Sequence, residues 1–326
     1  MQYRAMGNSD LNVSALGFGC WEMGGNQYGE VDDEEERRAV QRAMDLGVTL
    51  FDTAAIYGYG HSEEVLGRAL GSRRSEIVLV TKGGITWEEV GGPTIRSATR
   101  EVLVNGLEDS LRRLGTDYVD LFLIHWPDGK TPEAEMMGSL KELVQSGKTR
   151  FIGVSNFTAD MLRTSKPHAD ICANQVGYNL FDRRWERQMF PTARELGIGI
   201  MAYGPMAHGL LTGTFTADTT FLDWDWRSHG NAFGQALFTP ENFPRNVAVA
   251  DQLKNVATRR GTTLPKLAIA WVLSNSAVSV ALSGTRTSAE IEHNVGALEV
   301  KLDQTTLDEI DWIMSGAAGQ VEATPA

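Results

Sequence analysis

Eight short apolar runs, separated by amphipathic segments, restrict the folds open to this chain more than any other feature. The runs are SALGFG, VTLFD, IVLVTK, VDLFLIH, FIGVSN, ICANQ, IGIMAY and VSVALSG. Short aliphatic runs of this kind are typical of strands that are buried on both faces. A repeated order of strand, helix and strand predicts a parallel sheet with helical crossovers. Eight such strands in 326 residues favour an α/β fold closed into a (β/α)8 TIM barrel over an open sheet.

Two of the segments between these runs carry helix start and stop signals. The segment DEEERRAVQRAMDLG follows Asp32, has acidic residues in its first turn and places Val40 and Met44 on one face before Gly47. The segment EVLVNGLEDSLRRLG repeats the pattern and ends at Gly115. We therefore predict a helix over each segment.

The chain shows no linker that would divide it, so we predict one barrel domain over residues 1–326. Two segments depart from the alternation of strands and helices. Residues 212–245 are rich in aromatic residues and predict a long loop near the C-terminal rim of the barrel. Residues 317–326 predict a loose C-terminal tail.

Charge and composition exclude several classes of function. The formal net charge is −12, which repels polyanions and argues against a nucleic-acid partner. Cys20 and Cys172 are the two cysteines, so we expect no disulfide framework and a cytoplasmic location. No run reaches membrane-spanning length, and the six histidines lack metal-binding spacing. We therefore expect neither a membrane partner nor a metal.

Seven consecutive runs end in a polar, aromatic or glycine residue. The active sites of such barrels gather at the carboxyl ends of the strands. Chance explains any one of these residues but explains the set poorly, so we predict a functional site at this rim. The residues are Asp52, Lys82, His125, Ser155 with Asn156, Gln175, Tyr203 and Gly284.

Four residues at this rim suggest acid–base chemistry. A buried carboxylate at Asp52 is costly without a cation, which Lys82 can supply, although such a pair alone is more often a structural salt bridge. Tyr57 alters that balance, because a nearby ammonium stabilises the phenolate and lowers the pKa of the phenol toward the range of a general acid. His125 alone would more often be a core histidine, but beside the others it can orient a carbonyl oxygen.

The chain resembles the aldo-keto reductase family over nearly its whole length. The stretches that carry the resemblance are FDTAAIYGYGHSEEVLG, VTKGG, LRRLGTDYVDLFLIHWP, GKTRFIGVSNF, NQVGYNL, AYGPMAHGLLTG and SGTRTSAEIEHN. The SNF and HWPD signatures are most similar to the bacterial and channel-associated branches. The resemblance implies a (β/α)8 barrel that binds a nicotinamide dinucleotide without a Rossmann fold. It also implies reversible reduction of aldehyde or ketone carbonyls to alcohols.

The resemblance implies a catalytic tetrad of Asp52, Tyr57, Lys82 and His125. Tyr57 would give a proton to the carbonyl oxygen while hydride arrives from the nicotinamide. Lys82, held by Asp52, would adjust the acidity of Tyr57, and His125 would position the carbonyl.

The resemblance also implies the cofactor contacts. Ser155, Asn156 and Gln175 would hold the carboxamide, Tyr203 would stack on the nicotinamide ring, and the backbone of Gly204, Met206, Gly209 and Leu211 would line the pyrophosphate. Gly284, Thr285 and Arg286 would receive a 2′-phosphate, with Ser288, Glu290 and Asn294 around the ribose and adenine. Because a guanidinium suits a phosphate dianion, Arg286 favours NADPH, with NADH as the alternative. Glu290 stands where the family often carries Gln.

The substrate pocket is expected to contain aromatic residues and to accept a small-molecule carbonyl or alcohol. Its predicted members are Trp21, Tyr57, Trp126, Trp224 and Trp226. The aromatic residues of 212–245 equally suit a satellite cluster on the barrel or a subunit contact. Two other functions compete with a reductase: a redox-sensing regulatory subunit that binds the cofactor, and a lyase that uses Lys82 as a Schiff base. The expected pairing of Lys82 with Asp52 argues against the lyase.

Overall fold

The computed structural model describes residues 1–25 and 29–321 and contains twelve strands within them. Numbered along the chain, the strands are β1 (Tyr3–Ala5), β2 (Asn12–Ser14), β3 (Leu16–Gly19), β4 (Leu50–Asp52), β5 (Val78–Gly83), β6 (Ile85–Trp87), β7 (Thr94–Arg96), β8 (Val119–Ile124), β9 (Thr149–Ser155), β10 (Ala173–Gly177), β11 (Gly199–Tyr203) and β12 (Val278–Gly284). Eight of them, β3, β4, β5 and β8 to β12, form a closed parallel barrel. Each barrel strand lies within or overlaps one of the eight apolar runs, which confirms the predicted (β/α)8 TIM barrel.

Helices follow the barrel strands and pack outside them. They are α1 (Asp33–Asp45), α2 (His61–Leu70), α3 (Arg100–Leu114), α4 (Glu133–Gln145), α5 (Ala159–Ser165), α6 (Met189–Glu195), α7 (Phe243–Arg259), α8 (Leu264–Ser274), α9 (Ser288–Val295) and α10 (Gln304–Met314). The two predicted helices are α1 and α3. The carboxylate of Asp32 caps α1 by accepting hydrogen bonds from the backbone N–H groups of Glu34 and Glu35, at 3.0 and 3.2 Å.

An N-terminal hairpin, formed by antiparallel β1 and β2, covers the end of the barrel opposite the predicted site. Met6, Leu11 and Val13 are buried in one apolar cluster with residues from the barrel interior, such as Leu121 and Met201. The interior is therefore a packed core, and the open rim at the carboxyl ends of the strands is left for binding.

The long loop and the tail are more ordered than the sequence predicted. The loop is shorter by three residues, because α7 already begins at Phe243. At the C terminus, Asn246 Nδ2 donates to the carbonyl of Ala318 at 3.0 Å, and Ala236 N donates to the carbonyl of Gly319 at 2.9 Å. These two residues of the predicted tail are therefore hydrogen-bonded to the body of the protein, and positions 322–326 lie outside the described residues.

Glu36, on α1, is buried although it carries an ionisable group. Only 1% of the residue is exposed, and neither carboxylate oxygen has a hydrogen-bond partner among the described residues. Burial raises the pKa of this carboxyl from 4.5 to about 8, against the opposing influence of Arg286.

Replacing Glu36 with Gln is expected to stabilise the protein at alkaline pH. The carboxyl group of Glu36 binds its proton more tightly in the folded than in the unfolded protein. Its favourable contribution to the free energy of unfolding, which is complete below pH 4.5, is therefore lost as the pH rises through about 8. The free energy of unfolding of the native protein should therefore fall between pH 5 and pH 9 by roughly 1–4 kcal/mol more than that of Glu36→Gln. Urea denaturation at both pH values measures this difference. Parallel pH dependence in the two proteins would contradict the assignment.

Candidate active site

The centre of the site is a buried ion pair that touches a tyrosine hydroxyl. Lys82 Nζ donates to Asp52 Oδ2 at 2.7 Å, to the carbonyl of Thr53 at 3.0 Å and to Tyr57 Oη at 3.1 Å. Gln175 Nε2 donates to the other carboxylate oxygen of Asp52 at 2.8 Å. The Lys82 side chain is fully buried. The three donor positions of the ammonium are thus occupied in a geometry that links Asp52 to Tyr57.

The loop that carries Tyr57 depends on its glycines. Tyr57 begins a 3₁₀ helix, Tyr57–Gly60, directly after β4. Gly58 has φ +61°, and a Cβ there would lie 2.4 Å from the carbonyl oxygen of Gly24. Glycine thus allows this loop to pack against the loop after β3, which brings Trp21 within 6.2 Å of the Tyr57 ring, measured between ring centroids.

Burial dominates the electrostatics of the tetrad. It raises the pKa of Asp52 and lowers that of Lys82, and in each case the attraction of the partner opposes the shift. Burial, followed by the charges of Asp52 and Glu22, raises the pKa of Tyr57 well above 10. The predicted lowering of the Tyr57 pKa by Lys82 is therefore wrong for this structure. The phenol remains protonated at neutral pH and is in the acid form that proton donation requires.

His125 follows β8 and faces Tyr57. The two ring centroids are 5.8 Å apart, and the rings meet edge to face. Burial lowers the pKa of His125 well below 6.5, and the positive charges of Lys82 and Arg96 add to the effect. The imidazole is therefore neutral at pH 7 and has one N–H to offer to an oxygen acceptor.

These residues lie at or below a cleft of about 500 Å³ at the open rim of the barrel. Ser155, Asn156, Gln175 and Tyr203 form a polar wall of this cleft. Asn156 Nδ2 donates to Ser155 Oγ at 3.0 Å, and the hydroxyl of Tyr203 donates to Asn156 Oδ1 at 3.1 Å. The wall offers amide and hydroxyl groups beside an aromatic ring, which suits a flat carboxamide-bearing ring.

Most of the predicted site residues line this one cleft. They are Asp52, Tyr57, His125, Ser155, Asn156, Gln175, Tyr203, Gly204, Met206, Gly209, Gly284, Thr285, Arg286, Glu290, Trp21 and Trp126. The predicted residues outside its lining are Lys82, Leu211, Ser288, Asn294, Trp224 and Trp226. Lys82 lies beneath Tyr57. Leu211 is buried in the core, and Asn294 Nδ2 donates to Ser283 Oγ at 3.0 Å, so both support the wall from behind.

Some residues of the long loop line the cleft, and others pack in a satellite cluster. Phe233 lines the cleft and lies 5.9 Å from Trp21, whereas Trp226 stacks on Trp21 from outside the lining, also at 5.9 Å. Phe221 packs against Phe215, Phe238 and Phe243 in an aromatic cluster, which Trp226 connects to Phe233. Trp224 is 52% exposed. The two tryptophans of the loop therefore do not form the pocket wall that the sequence predicted.

Several lining residues were missed by the sequence reasoning. They are Gly19, Glu22, Ile56, Tyr59, Ile85, Thr94, Pro205, His208, Thr212, Arg227, Phe233 and Leu282. Glu22 could have been found, because it stands three residues after the end of β3, the one barrel strand whose end was not considered. Ile85 and Thr94 come from the β6–β7 hairpin. That hairpin was not predicted, because no alternation of apolar and polar residues in the sequence indicated it.

The segment after β12 is held by carboxylates of the chain itself. Glu290 Oε2 accepts from the backbone N–H groups of Arg286 and Thr287, at 2.7 and 3.2 Å, and Glu290 forms a capping box with Thr287 at the start of α9. Glu35 Oε1 accepts from Ser288 N at 3.1 Å. The guanidinium of Arg286 donates to the carbonyl of Glu30. Arg286 thus enters the cleft from a segment with acidic surroundings.

Neither a metal-binding cluster nor a membrane-spanning helix occurs among residues 1–25 and 29–321. Within these ranges, His, Cys, Asp and Glu side chains form no group of three or more that could hold a metal ion. Within the same ranges, no helix combines the length and apolarity that crossing a membrane requires.

Comparisons with known proteins find similarity over most of the chain. A sequence model of the Aldo/keto reductase family matches residues 15–314. The chain is 36% identical to Aldo-keto reductase YhdN of Bacillus subtilis, over 90% of this chain and 87% of the relative. It is 33% identical to the NADH-specific methylglyoxal reductase of Escherichia coli, over 94% and 97% of the two chains. It is also 33% identical to a probable voltage-gated potassium channel subunit beta of Arabidopsis thaliana, over 99% of each chain.

A solved structure extends the similarity to three dimensions. The glycerol dehydrogenase of Gluconobacter oxydans superposes with a TM-score of 0.89 at 33% identity, over 99% of this chain and 98% of that one.

Proposed function

Because the chain belongs to the aldo/keto reductase family, we propose that it reduces aldehyde or ketone carbonyls to alcohols with a nicotinamide dinucleotide, and that Tyr57 donates the proton. The observation that carries this proposal is the contact of Lys82 Nζ with both Asp52 and Tyr57, at 2.7 and 3.1 Å, beside a cleft of about 500 Å³. A purely structural salt bridge has no need of a tyrosine hydroxyl that also faces a cleft.

Each residue of the tetrad has its own role at the carbonyl oxygen of the substrate. Tyr57 holds the proton that this oxygen receives, since the pKa of the phenol is raised well above 10. As the proton leaves, the ammonium of Lys82 stabilises the phenolate across 3.1 Å, and Asp52 keeps that ammonium charged. Neutral His125 orients the carbonyl with its one N–H. The nicotinamide, when bound, supplies the hydride.

The cleft fits such a cofactor by the chemistry of its donors. Asn156 Nδ2 donates to Ser155 Oγ and to the carbonyl of His125, while its Oδ1 atom can accept a second hydrogen bond from a carboxamide, and the ring of Tyr203 offers a flat surface beside it. Gly204 and Gly209 have φ values of +63° and +106°, which lets the backbone approach a phosphate closely. Arg286 would meet phosphate charge at the far end of the cleft. We propose either NADH or NADPH as the cofactor, and Arg286 as a contact to its adenosine side.

The proposal is tested by following nicotinamide absorbance with purified protein and a panel of aldehydes, ketones, 2-oxoaldehydes and polyols. Methylglyoxal and glycerol belong in the panel, because similar proteins are named for them. Oxidation of NADH or NADPH by a carbonyl, or reduction of the oxidised cofactor by an alcohol, supports the proposal. A protein that binds neither dinucleotide would overturn it.

A cofactor-binding regulatory subunit is the second candidate, favoured by the similarity to the plant channel subunit over 99% of each chain. Such a protein would bind NADH or NADPH and give little turnover across the panel. The lyase hypothesis is less favourable, since a Schiff base requires a neutral amine and Lys82 is held as an ammonium by Asp52 at 2.7 Å.

Replacing Arg286 with Ala is expected to weaken the binding of NADPH more than the binding of NADH. A charge-assisted contact to a phosphate contributes roughly 1.5–3 kcal/mol, so the Kd for NADPH should rise about tenfold to a hundredfold while that for NADH rises less than about threefold. Fluorescence titration of both cofactors measures the ratio. Arg184, an arginine paired with Asp182 outside the lining of the cleft, provides a control as Arg184→Ala. Equal losses for the two cofactors would mean that Arg286 meets no 2′-phosphate.

A further inference from the structure

Glu22 is an acidic residue in a cleft that is proposed to bind phosphate groups. It begins the 3₁₀ helix Glu22–Gly24, which follows β3, and it lines the same cleft as Gly284 and Arg286. A Cβ at Gly284 would lie 1.8 Å from Glu22 Oε1, so the carboxyl group rests directly against the backbone of that glycine. Any side chain at position 284 would displace it.

The carboxyl group of Glu22 lacks the partners that a buried charge requires. Its Oε2 atom is buried and accepts no hydrogen bond from any described residue. Burial raises its pKa from 4.5 to about 7, against a hydrogen bond from the backbone N–H of Glu22 itself; neighbouring Glu290 adds to the shift, while Arg286 and Arg227 oppose it. The carboxyl group of Glu22 therefore gains or loses its proton near neutral pH. Its charge changes within the ordinary working range of pH.

Groups coupled to Glu22 could also change their charge in this pH range and have to be considered. The titratable or charged groups coupled to it are Cys20, Glu36, Tyr57, Arg227, Arg286 and Glu290. Cys20 and Tyr57 have raised pKa values and stay neutral in this range. Glu36 also titrates, with a pKa of about 8, but it does not line the cleft. It is the group that an experiment has to separate from Glu22.

We propose that Glu22 controls the affinity and the choice of the nicotinamide dinucleotide through its charge, the ionised form opposing NADPH more strongly than NADH. This inference rests on the proposed function, since it requires a dinucleotide in the cleft. Both cofactors carry a pyrophosphate, but the 2′-phosphate of NADPH adds a charge of about −1.5 to −2 at pH 7. A carboxylate beside Gly284 and Arg286 reduces the net positive charge that this phosphate meets.

The sequence favoured NADPH because Arg286 stands within SGTR, followed by EIEHN. With Glu22 ionised, and with Glu290 on the backbone N–H of Arg286, the same end of the cleft becomes more suitable for a neutral ribose hydroxyl. We therefore infer that the protein changes from tolerating NADPH at mildly acidic pH to preferring NADH at alkaline pH.

The test is the Kd of NADH and of NADPH, measured by calorimetric titration at pH 6 and pH 8.5 for the native protein and Glu22→Gln. For the native protein we expect the Kd of NADPH to rise about tenfold with pH and that of NADH about threefold, on the basis of one pKa unit of coupling. In Glu22→Gln both increases should be lost. Any pH dependence that remains in the variant comes from other groups such as the 2′-phosphate itself, so the difference between the two proteins isolates the residue.

Three further variants complete the design. Glu22→Ala removes the charge without adding an amide that donates to a phosphate, and it should reproduce the loss of pH dependence. Glu36→Gln removes the other buried acid, and Glu64→Gln removes an exposed charge from α2. Both are expected to retain the native pH dependence.

The outcomes separate this inference from the proposed function. If NADH and NADPH bind with the same pH dependence in the native protein and in both Glu22 variants, the role of Glu22 is wrong and the reductase proposal survives. If the dependence disappears in Glu36→Gln instead, the assignment to Glu22 is likewise wrong. A native protein that binds neither cofactor at either pH would overturn both.

Discussion

In Tyr57→Phe, kcat for carbonyl reduction is expected to fall by about 10²–10⁴-fold, the usual contribution of a positioned general acid. The hydroxyl that is removed is the group at 3.1 Å from Lys82 Nζ, and the phenylalanine ring can keep the edge-to-face contact with His125. The affinity for the dinucleotide should change by less than about threefold, because the polar wall formed by Asn156 and Tyr203 is untouched. Steady-state kinetics and cofactor titration on the same preparation measure the two effects.

Tyr59→Phe is the matched control for that substitution. Tyr59 lies on the same 3₁₀ helix and lines the same cleft, but its ring packs on Trp87 rather than against the ion pair. Removing the hydroxyl of Tyr59 should change kcat by less than about threefold. Turnover in Tyr57→Phe that equals turnover in Tyr59→Phe would remove Tyr57 from the role of proton donor.

The rim of the barrel was predictable because it follows from strand ends. Asp52, Ser155, Tyr203 and Gly284 are the last residues of β4, β9, β11 and β12. Parallel strands in a closed barrel deliver such residues to one edge, so finding the strands also finds the wall of the cleft. The hydrophobic pattern of the sequence carries this information directly.

The pKa of Tyr57 was not predictable in the same way. Sequence spacing indicates which groups meet, but the direction of a pKa shift depends on the balance of burial against charge. In the structure, burial first, and then the negative charges of Asp52 and Glu22, raise the pKa of Tyr57. The sequence identifies the charged groups, but it does not show how completely water is excluded from them.

The aromatic residues of the long loop show a second limit. Phe233 enters the cleft, whereas Phe221 packs on Phe238 and Phe243, although all are aromatic residues in irregular segments or at their borders. Loops lack the periodicity that assigns side chains to faces in a strand or a helix. Composition alone therefore left a pocket wall and a satellite cluster equally open for Trp224 and Trp226, and neither residue is among those that line the cleft.

The second large effect is expected from Lys82→Met, which separates stability from catalysis. Removing the ammonium leaves the carboxylate of Asp52 buried, with Gln175 as its remaining side-chain donor among the described residues. An uncompensated charge of this kind costs about 3–5 kcal/mol, so the free energy of unfolding should fall by that amount. The proton-donating function of Tyr57 should fail as well, because the developing phenolate loses its stabilising charge.

Adding Asp52→Asn to Lys82→Met should restore much of the lost stability without restoring activity. The double variant no longer carries a buried charge, and an asparagine oxygen can still accept from Gln175 Nε2, which lies 2.8 Å from Asp52 Oδ1 in the native protein. Urea denaturation should therefore show recovery of about 2 kcal/mol or more, while kcat remains at least about a hundredfold below that of the native protein. Full recovery of both quantities would mean that the ion pair has no chemical role. Loss of activity without any loss of stability in Lys82→Met would mean that the pair is not buried as the structure describes.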